Sequence, residues 1–505
     1  MKHLSGGKWR KTWALVTPLV LTSGLVAGCG SAKAGDSSQK SSVVSLRIME
    51  NQSTSLPSPD QDIILKTLDQ KLGVNITLND FSQSTDYENQ LNEQMAAGDF
   101  PDLFQVPDQN TLMTLQKQGV LLDLTPYLKK LGPTTKLIGD NLKDGELNGQ
   151  VYAISKAPNL NYSTYWIRKD WLKKLGLQEP TTLSQLFNVA KAFTDDDPDG
   201  NGKKDTYGIT GVGLSAFAPI FGAFGVGMPG DFYIKNGKLV NALFDPNMPK
   251  ALAYIHTMVQ AGVVDPSIMS YDGAPQVQEP AFEGKDGIMW MDWPNVMKDN
   301  FKQEWKKVNS NAQWVQLPAP KGPGGQYNGT YDKDSSSGMY AIPKSLAKDP
   351  AKLNKVFDLL NYVSKPAGND LVDYGLAGRD YKMENGKIVT LPKLDEEGGY
   401  FFVYQFTGRP EQQYLDTKFS TLTQYIKFAA DQPVIETVNG FINLPQNYNA
   451  NDANTYITQE ITNFIFGKQP LSQYQAFLNT LQTQYKYKIY LQSAQEQIQK
   501  LGMTK

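Results

Sequence analysis

VVSLRIM (Val43–Met49), DQDIILKTLDQKL (Asp60–Leu72), VNITL (Val74–Leu78), YENQLNEQMAA (Tyr87–Ala97) and DLFQV (Asp102–Val106) follow one another along the chain. The first segment alternates apolar and polar residues at the period of a strand, whereas the second sets Ile63, Ile64, Leu68 and Leu72 at helical spacing. The third is strand-like again, the fourth is helical and broken by Gly98, and the fifth is a short third strand. Strands alternating with helices of about 10 to 15 residues predict an α/β fold on a mostly parallel, doubly wound sheet. Ligands of such sheets bind beyond the carboxyl ends of the strands, which makes Gln52 and Ser53 candidate ligand contacts.

Outward from this stretch the alternation continues. Tyr152-Ala153-Ile154 and Tyr165-Trp166-Ile167 read as strands, and a helix over Trp171–Leu175 stops at Gly176. Thr182 is placed to cap the next helix. Phe282–Trp290 reads as a turn and a buried strand, and Gly338–Ile342 and Leu353–Ser364 as another strand–helix pair. The proline- and glycine-rich run Leu317–Gly325 is expected to cross between lobes, and Tyr456–Leu501 to supply packing helices. A chain of 505 residues is too long for a single core, so two or more lobes are expected.

The amino terminus reads as an export signal. Lys2, Lys8, Arg10 and Lys11 precede the nearly uncharged segment Trp13–Val26, and no acidic residue occurs before Asp36. At about 1.5 Å per residue that segment spans roughly 21 Å, short of a hydrocarbon core of about 30 Å, and fits a signal peptide better than a membrane span. Leu25-Val26-Ala27-Gly28-Cys29 resembles the lipobox of bacterial lipoproteins; the alternative is an ordinary secretory signal with a stray thiol. The expectation is a signal peptide over 1–28, a Cys29 carrying diacylglycerol and a palmitate-type acyl chain, and a flexible polar tether over 29–42. Cys29 is the only cysteine, so no intrachain disulfide can form. A net charge of −2 with scattered Lys and Arg leaves no nucleic-acid footprint. Two histidines, one of them in the signal, exclude multi-histidine zinc centres.

The sharpest local motif is Asp197-Pro198-Asp199-Gly200-Asn201-Gly202-Lys203-Lys204-Asp205. Asp197, Asp199 and Asn201 offer oxygens at loop positions 1, 3 and 5, Gly202 allows the sharp turn at 6, Lys203 offers its carbonyl at 7 and Asp205 stands at 9. This is most of an EF-hand loop and predicts a structural Ca²⁺, although position 12 is Gly208 instead of Glu. A charged surface turn is the alternative.

Aromatic residues form a second constellation. Trp290, Asp292 and Trp293 close the Phe282–Trp290 segment, with Trp166 and Tyr331 further off. Sugar rings present apolar C–H faces rimmed by hydroxyls, so a carbohydrate site needs flat aromatic platforms beside carboxylates and amides. Core packing is the alternative for each aromatic. Asp102, Arg168, Arg379 and Asp380 are further polar candidates, the last two as a surface pair or as ligand contacts. No G-x-S-x-G elbow or P-loop occurs, so the chain reads as a binding protein and not an enzyme.

YWIRKDWLKKLGLQEPTTLSQLFNVAKAFTDDDPDGNGKKDTYGITG (Tyr165–Gly211), with MAAGDFPDLF (Met95–Phe104), FEGKDGIMW (Phe282–Trp290), LPAPKGP (Leu317–Pro323) and YGLAGRDYK (Tyr374–Lys382), resembles the extracellular solute-binding proteins of carbohydrate ABC importers. The similarity is greatest to the large lipoproteins of Gram-positive bacteria such as Paenibacillus. This resemblance implies a periplasmic-binding-protein-like fold of type II, with two hinged lobes and several crossovers. Residues 43–160 and 330–395 are expected in lobe 1, and 161–329 and 396–505 in lobe 2. The implied role is a monomeric, lipid-anchored receptor on the extracytoplasmic membrane face. It would pass an oligosaccharide to separate ABC permease subunits. A peptide-binding or sensory lipoprotein of the same fold is the first alternative, and a polysaccharide-active enzyme the second.

Overall fold

Asp62 starts the first helix, its Oδ1 accepting from the N–H groups of Ile64 (3.0 Å) and Leu65 (2.9 Å), and Gly73 ends it with φ of 62°. Ile63–Leu72 thereby buries Ile64, Leu65 and Leu68. Thr182 caps Leu183–Asp195 in the same way through Gln185 N (3.2 Å), turning Leu186, Val189, Ala190 and Phe193 inward. The computed structural model describes residues 43–504 apart from 53, 272, 292, 333–337 and 446. The signal, Cys29 and the tether therefore lie outside the described residues.

The first lobe is a five-stranded sheet in the order Val74–Asp80, Val44–Glu50, Leu103–Val106, Met339–Ala341, Ala153–Ser155. The first three strands are parallel, while Met339–Ala341 runs antiparallel to both its neighbours. The second lobe holds two four-stranded sheets. One has the order Trp314–Leu317, Thr164–Arg168, Asp286–Met291, Tyr207–Thr210, and the other Lys238–Asn241, Phe232–Lys235, Ile435–Thr437, Thr330–Asp332. The sheets are mixed for a geometric reason. Met339–Ala341 and Thr164–Arg168 each begin just after the chain has entered a lobe, and each runs antiparallel to both its neighbours.

The lobe boundaries shift from those expected. Thr330–Asp332 pairs with Ile435–Thr437 and so belongs to the second lobe, not the first. Gly398–Tyr404 and Phe406 join the core of the first lobe, where the Tyr404 hydroxyl donates to Asp62 Oδ2 (2.6 Å) and the Phe406 ring lies 5.5 Å from that of Tyr340. Leu317–Gly325 is not a crossover. Lys321 exchanges backbone hydrogen bonds with Thr181 and Leu183, and Gly324 N donates to Ala223 O, all within the second lobe. Its glycines serve close approach: a Cβ on Gly324 would stand 2.0 Å from the carbonyl carbon of Phe224.

The second core gathers Tyr165, Ile167, Phe193, Phe221, Ile255, Ile288 and Trp290 with Phe464 and Phe477 of the C-terminal helices. The opposite face of the same sheet, carrying Trp166, Met289 and Trp314, packs into the cluster that also contains the first-lobe core.

Candidate functional site

Strand direction locates the cleft. Met339 is in register with both Val106 and Ser155, so the carboxyl ends of Leu103–Val106 and Ala153–Ser155 share one edge of the first sheet with Glu50 and Asp80. In the second lobe, Thr164 pairs with Met291 and Tyr165 with Leu317, which puts the start of Thr164–Arg168 beside the carboxyl ends of the strands next to it. The link from Ser155 to Thr164 joins these two edges. Both lobes therefore present carboxyl strand ends to the same crossover.

The first-lobe wall is a tight polar net. Asp80 accepts from Gln52 N (2.6 Å) and Thr54 N (3.3 Å), and Gln105 Oε1 accepts from Asn51 N (2.8 Å). Gln52 Nε2 reaches the Tyr340 hydroxyl (3.3 Å), and that hydroxyl donates to Glu50 Oε2. Lys156 lies over the Tyr340 ring, with its Nζ 5.6 Å from the centroid. Burial pushes the Glu50 carboxyl up, against the attraction of Lys156 and the Tyr340 hydrogen bond. Burial pushes the Lys156 ammonium down, against the attraction of Glu50. Of the sequence candidates Gln52 stands in this wall; Ser53 is outside the described residues.

The second-lobe wall centres on Trp293, half-buried between the rings of Tyr162 (5.1 Å, 82°) and Phe419 (5.1 Å, 74°). The Tyr162 hydroxyl donates to Glu411, which stands among first-lobe residues and takes two bonds from Arg409, at 2.6 and 3.0 Å. Arg409 in turn covers the Tyr414 ring at 3.7 Å. Tyr331 donates to the Asn159 carbonyl in the link between the lobes. Asp292 is outside the described residues.

Two tryptophans expected as platforms sit elsewhere. Trp166 is 0% exposed and faces the Tyr425 ring on the far side of its sheet, because alternation along Thr164–Arg168 sends it opposite to Tyr165. Trp290 is 8% exposed and packs edge-on against Tyr165 in the second core. Asp102 binds Arg47 N (2.7 Å) and Lys352 (2.9 Å), Arg168 is clamped to Asp170, and Arg379 pairs with Asp380, so all three are structural. Sequence reasoning missed Lys156, Arg409 and Glu411. The only hint was a lone arginine in the Gly408–Pro410 turn.

The acidic loop is closed by its own donors. Asp197 accepts from Gly200 N (3.0 Å) and Gly202 N (3.1 Å), while Asn201 Nδ2 donates to Asp199 (2.7 Å) and Asp205 (3.1 Å). Asp199 is held above the ordinary aspartate range by desolvation, against the Asn201 N–H, and then by Asp197 and Asp205. Lys174 ties the loop down through the carbonyls of Asp197 (3.0 Å) and Pro198 (3.1 Å). Among the described residues no group of three or more His, Cys, Asp or Glu is disposed to hold a metal. The Asn201 amide presents its nitrogen, not its oxygen, to Asp199 and Asp205. Gly208 supplies no twelfth-position ligand, and the buried Thr206 hydroxyl is spent on Phe193 O (2.7 Å).

The family sequence model described as "Bacterial extracellular solute-binding protein" matches residues 52–370. The chain belongs to this family. It is a binding protein of the extracellular class and not an enzyme, and no helix among its described residues is long and apolar enough to cross a membrane. Lipoprotein LipO of Bacillus subtilis is 28% identical over 393 residues, with 76% of each chain covered. The polygalacturonan/rhamnogalacturonan-binding protein YtcQ of the same organism is 27% identical over 403 residues, again with 76% of each covered. Among solved structures, the substrate-binding protein FusA of S. pneumoniae in complex with kestose superposes with a TM-score of 0.71 at 19% identity, covering 91% of this chain and 99% of that one. An EF-hand mutant of FusA in complex with fructo-nystose gives 0.69, with the same coverage and identity. These superpositions establish the shared two-lobe type II fold.

The polar floor has a pH signature. Glu50 holds its proton more tightly in the folded chain than in the unfolded one, so its contribution to stability is lost as pH climbs from the ordinary glutamate range to about 8. Glu50→Gln is expected to flatten that decline in urea-unfolding midpoints measured across the interval. An identical slope in wild type and variant would rule out Glu50 as its source.

Proposed function

We propose that this protein is an extracytoplasmic, lipid-anchored receptor that binds an oligosaccharide between its lobes and delivers it to an ABC permease. The observation that carries the reading is the meeting of two chemically different walls at one crossover. Trp293, held upright by Tyr162 and Phe419, offers a ring face for sugar C–H groups. At the carboxyl edge of the first sheet, Gln52 offers its amide to hydroxyls, backed by the buried Glu50–Tyr340 pair. The sugars in the descriptions of YtcQ and FusA support this substrate class. Cys29 would carry the lipid, consistent with the lipoprotein name of LipO. The Asp197–Asp205 loop would hold a structural Ca²⁺ through Asp197, Asp199, Asn201, Asp205 and the Lys203 carbonyl, a role supported by its acidic crowding and by the EF-hand in the FusA description. Asp292 and Ser53 extend the proposed contact set, and the receptor acts as a monomer.

Three measurements test this. Titration against plant and microbial oligosaccharides should find a ligand, and Trp293→Ala should weaken it by roughly tenfold; wild-type affinity in the variant would remove Trp293 from the site. EDTA should lower the unfolding temperature, since a cation bound only by the folded state stabilises it by mass action. An unchanged transition with no metal by elemental analysis would leave a plain surface turn. Finally, Cys29→Ala should release the protein from membranes or block its processing, and full retention would disprove the anchor.

A further inference from the structure

Away from the Trp293 platform, a cavity of roughly 470 Å³ opens between the lobes. One side is Asp108 and Gln109, at the start of the helix that follows Leu103–Val106. The other is built by Asp231, Asn439 and the helices Ala450–Ile465 and Tyr487–Lys500. The lobes also touch beside it, where Lys143 Nζ lies 6.0 Å from the centroid of the Phe441 ring. Neither Trp293 nor Gln52 lines this space.

Its chemistry suits a sugar. Asn451, Asn454 and Thr458 are exposed along one face of Ala450–Ile465, at i, i+3 and i+7, while Ala453, Ile457 and Ile461 are buried. Tyr448 and Tyr490 stack at 4.9 Å and 17° in the wall. The Asp231 carboxylate is fixed by Asn439 Nδ2 (2.9 Å) and Met228 N (3.0 Å), so it is preorganised and not floppy. Asp108 is likewise held by Thr111 N (2.7 Å). Amides, a hydroxyl, tyrosine rings and two carboxylates can together bind ring faces and hydroxyls. Among the described lining residues there is no Lys or Arg to neutralise an acid.

We propose that this cavity is an accessory subsite for a neutral sugar ring of the bound oligosaccharide, one that rejects uronates by repulsion from Asp108 and Asp231. The proposal rests on the oligosaccharide reading above and adds to it a second contact region and a charge preference. Because its walls come from both lobes, a ring held there links them at a distance from the crossovers, so longer neutral ligands gain affinity over short ones.

The test is calorimetric titration of wild type, Asn454→Trp and Trp293→Ala with size-graded neutral (fructan, glucan, mannan) and acidic (polygalacturonan) oligosaccharides. Asn454 is exposed, and matching thermal unfolding of Asn454→Trp confirms an intact fold. Wild type is expected to bind neutral ligands more tightly as they lengthen, with Asn454→Trp removing about tenfold of that gain. Trp293→Ala should weaken every length. Identical length dependence in wild type and Asn454→Trp overturns the subsite while leaving the cleft reading intact. Stronger, Asn454-dependent binding of acidic fragments overturns the neutral assignment. If no oligosaccharide binds the wild type, the subsite falls together with the reading on which it stands.

Discussion

The first sheet cannot be completed by the first part of the chain. Its fourth strand, Met339–Ala341, lies between Leu103–Val106 and Ala153–Ser155, and it arrives only after the chain has built most of the second lobe. Tyr340 on that strand then bonds to Glu50 on the first, and Phe406 closes over it. Each lobe thus depends on contacts of very large sequence separation, whose loop-closure cost must be met before they stabilise anything. The same threading puts both sets of strand ends at one crossover. The place of the cleft follows from that topological constraint.

The cleft floor holds ionisable groups where an ordinary core would not. Glu50 and Lys156 are buried, and isolated ions in such a place would cost several kcal/mol each. They persist because the Tyr340 hydroxyl donates to Glu50, because Glu50 and Lys156 attract each other, and because Tyr340 offers Lys156 a ring face. The Arg409–Glu411 pair, set among first-lobe residues, bonds to Tyr162, whose ring packs edge-on against Trp293. These nets hold the walls in shape before any ligand arrives, which lowers the ordering cost of binding.

The aromatic residues show how far composition misleads about role. Trp166 and Trp290 stand on neighbouring strands, paired through Met289 and Tyr165, yet their rings serve opposite faces of one sheet and both are core. Trp293 lies three residues past Trp290, beyond the strand, and there a tryptophan can keep a face exposed. Tyr487 and Tyr490 of the last helix, in the stretch read from the sequence as packing, also line the interlobe cavity beside Tyr448.

Local rules were enough for much of this protein. The alternation from Val43 to Val106, the cap at Thr182, the stop at Gly176 and the turn geometry of the acidic loop all depend on neighbours within a few residues, so the sequence carried them. The family was legible too, from motifs spread in order along the chain. Pairing partners were not. Whether Thr330–Asp332 joins one lobe or the other depends on a strand about a hundred residues later, and whether Leu317–Gly325 crosses the hinge depends on the backbone of Ala223 and Phe224. Lys156, Arg409 and Glu411 gained meaning only from what tertiary packing placed against them, because burial and charge proximity belong to the folded chain and have no period in the sequence.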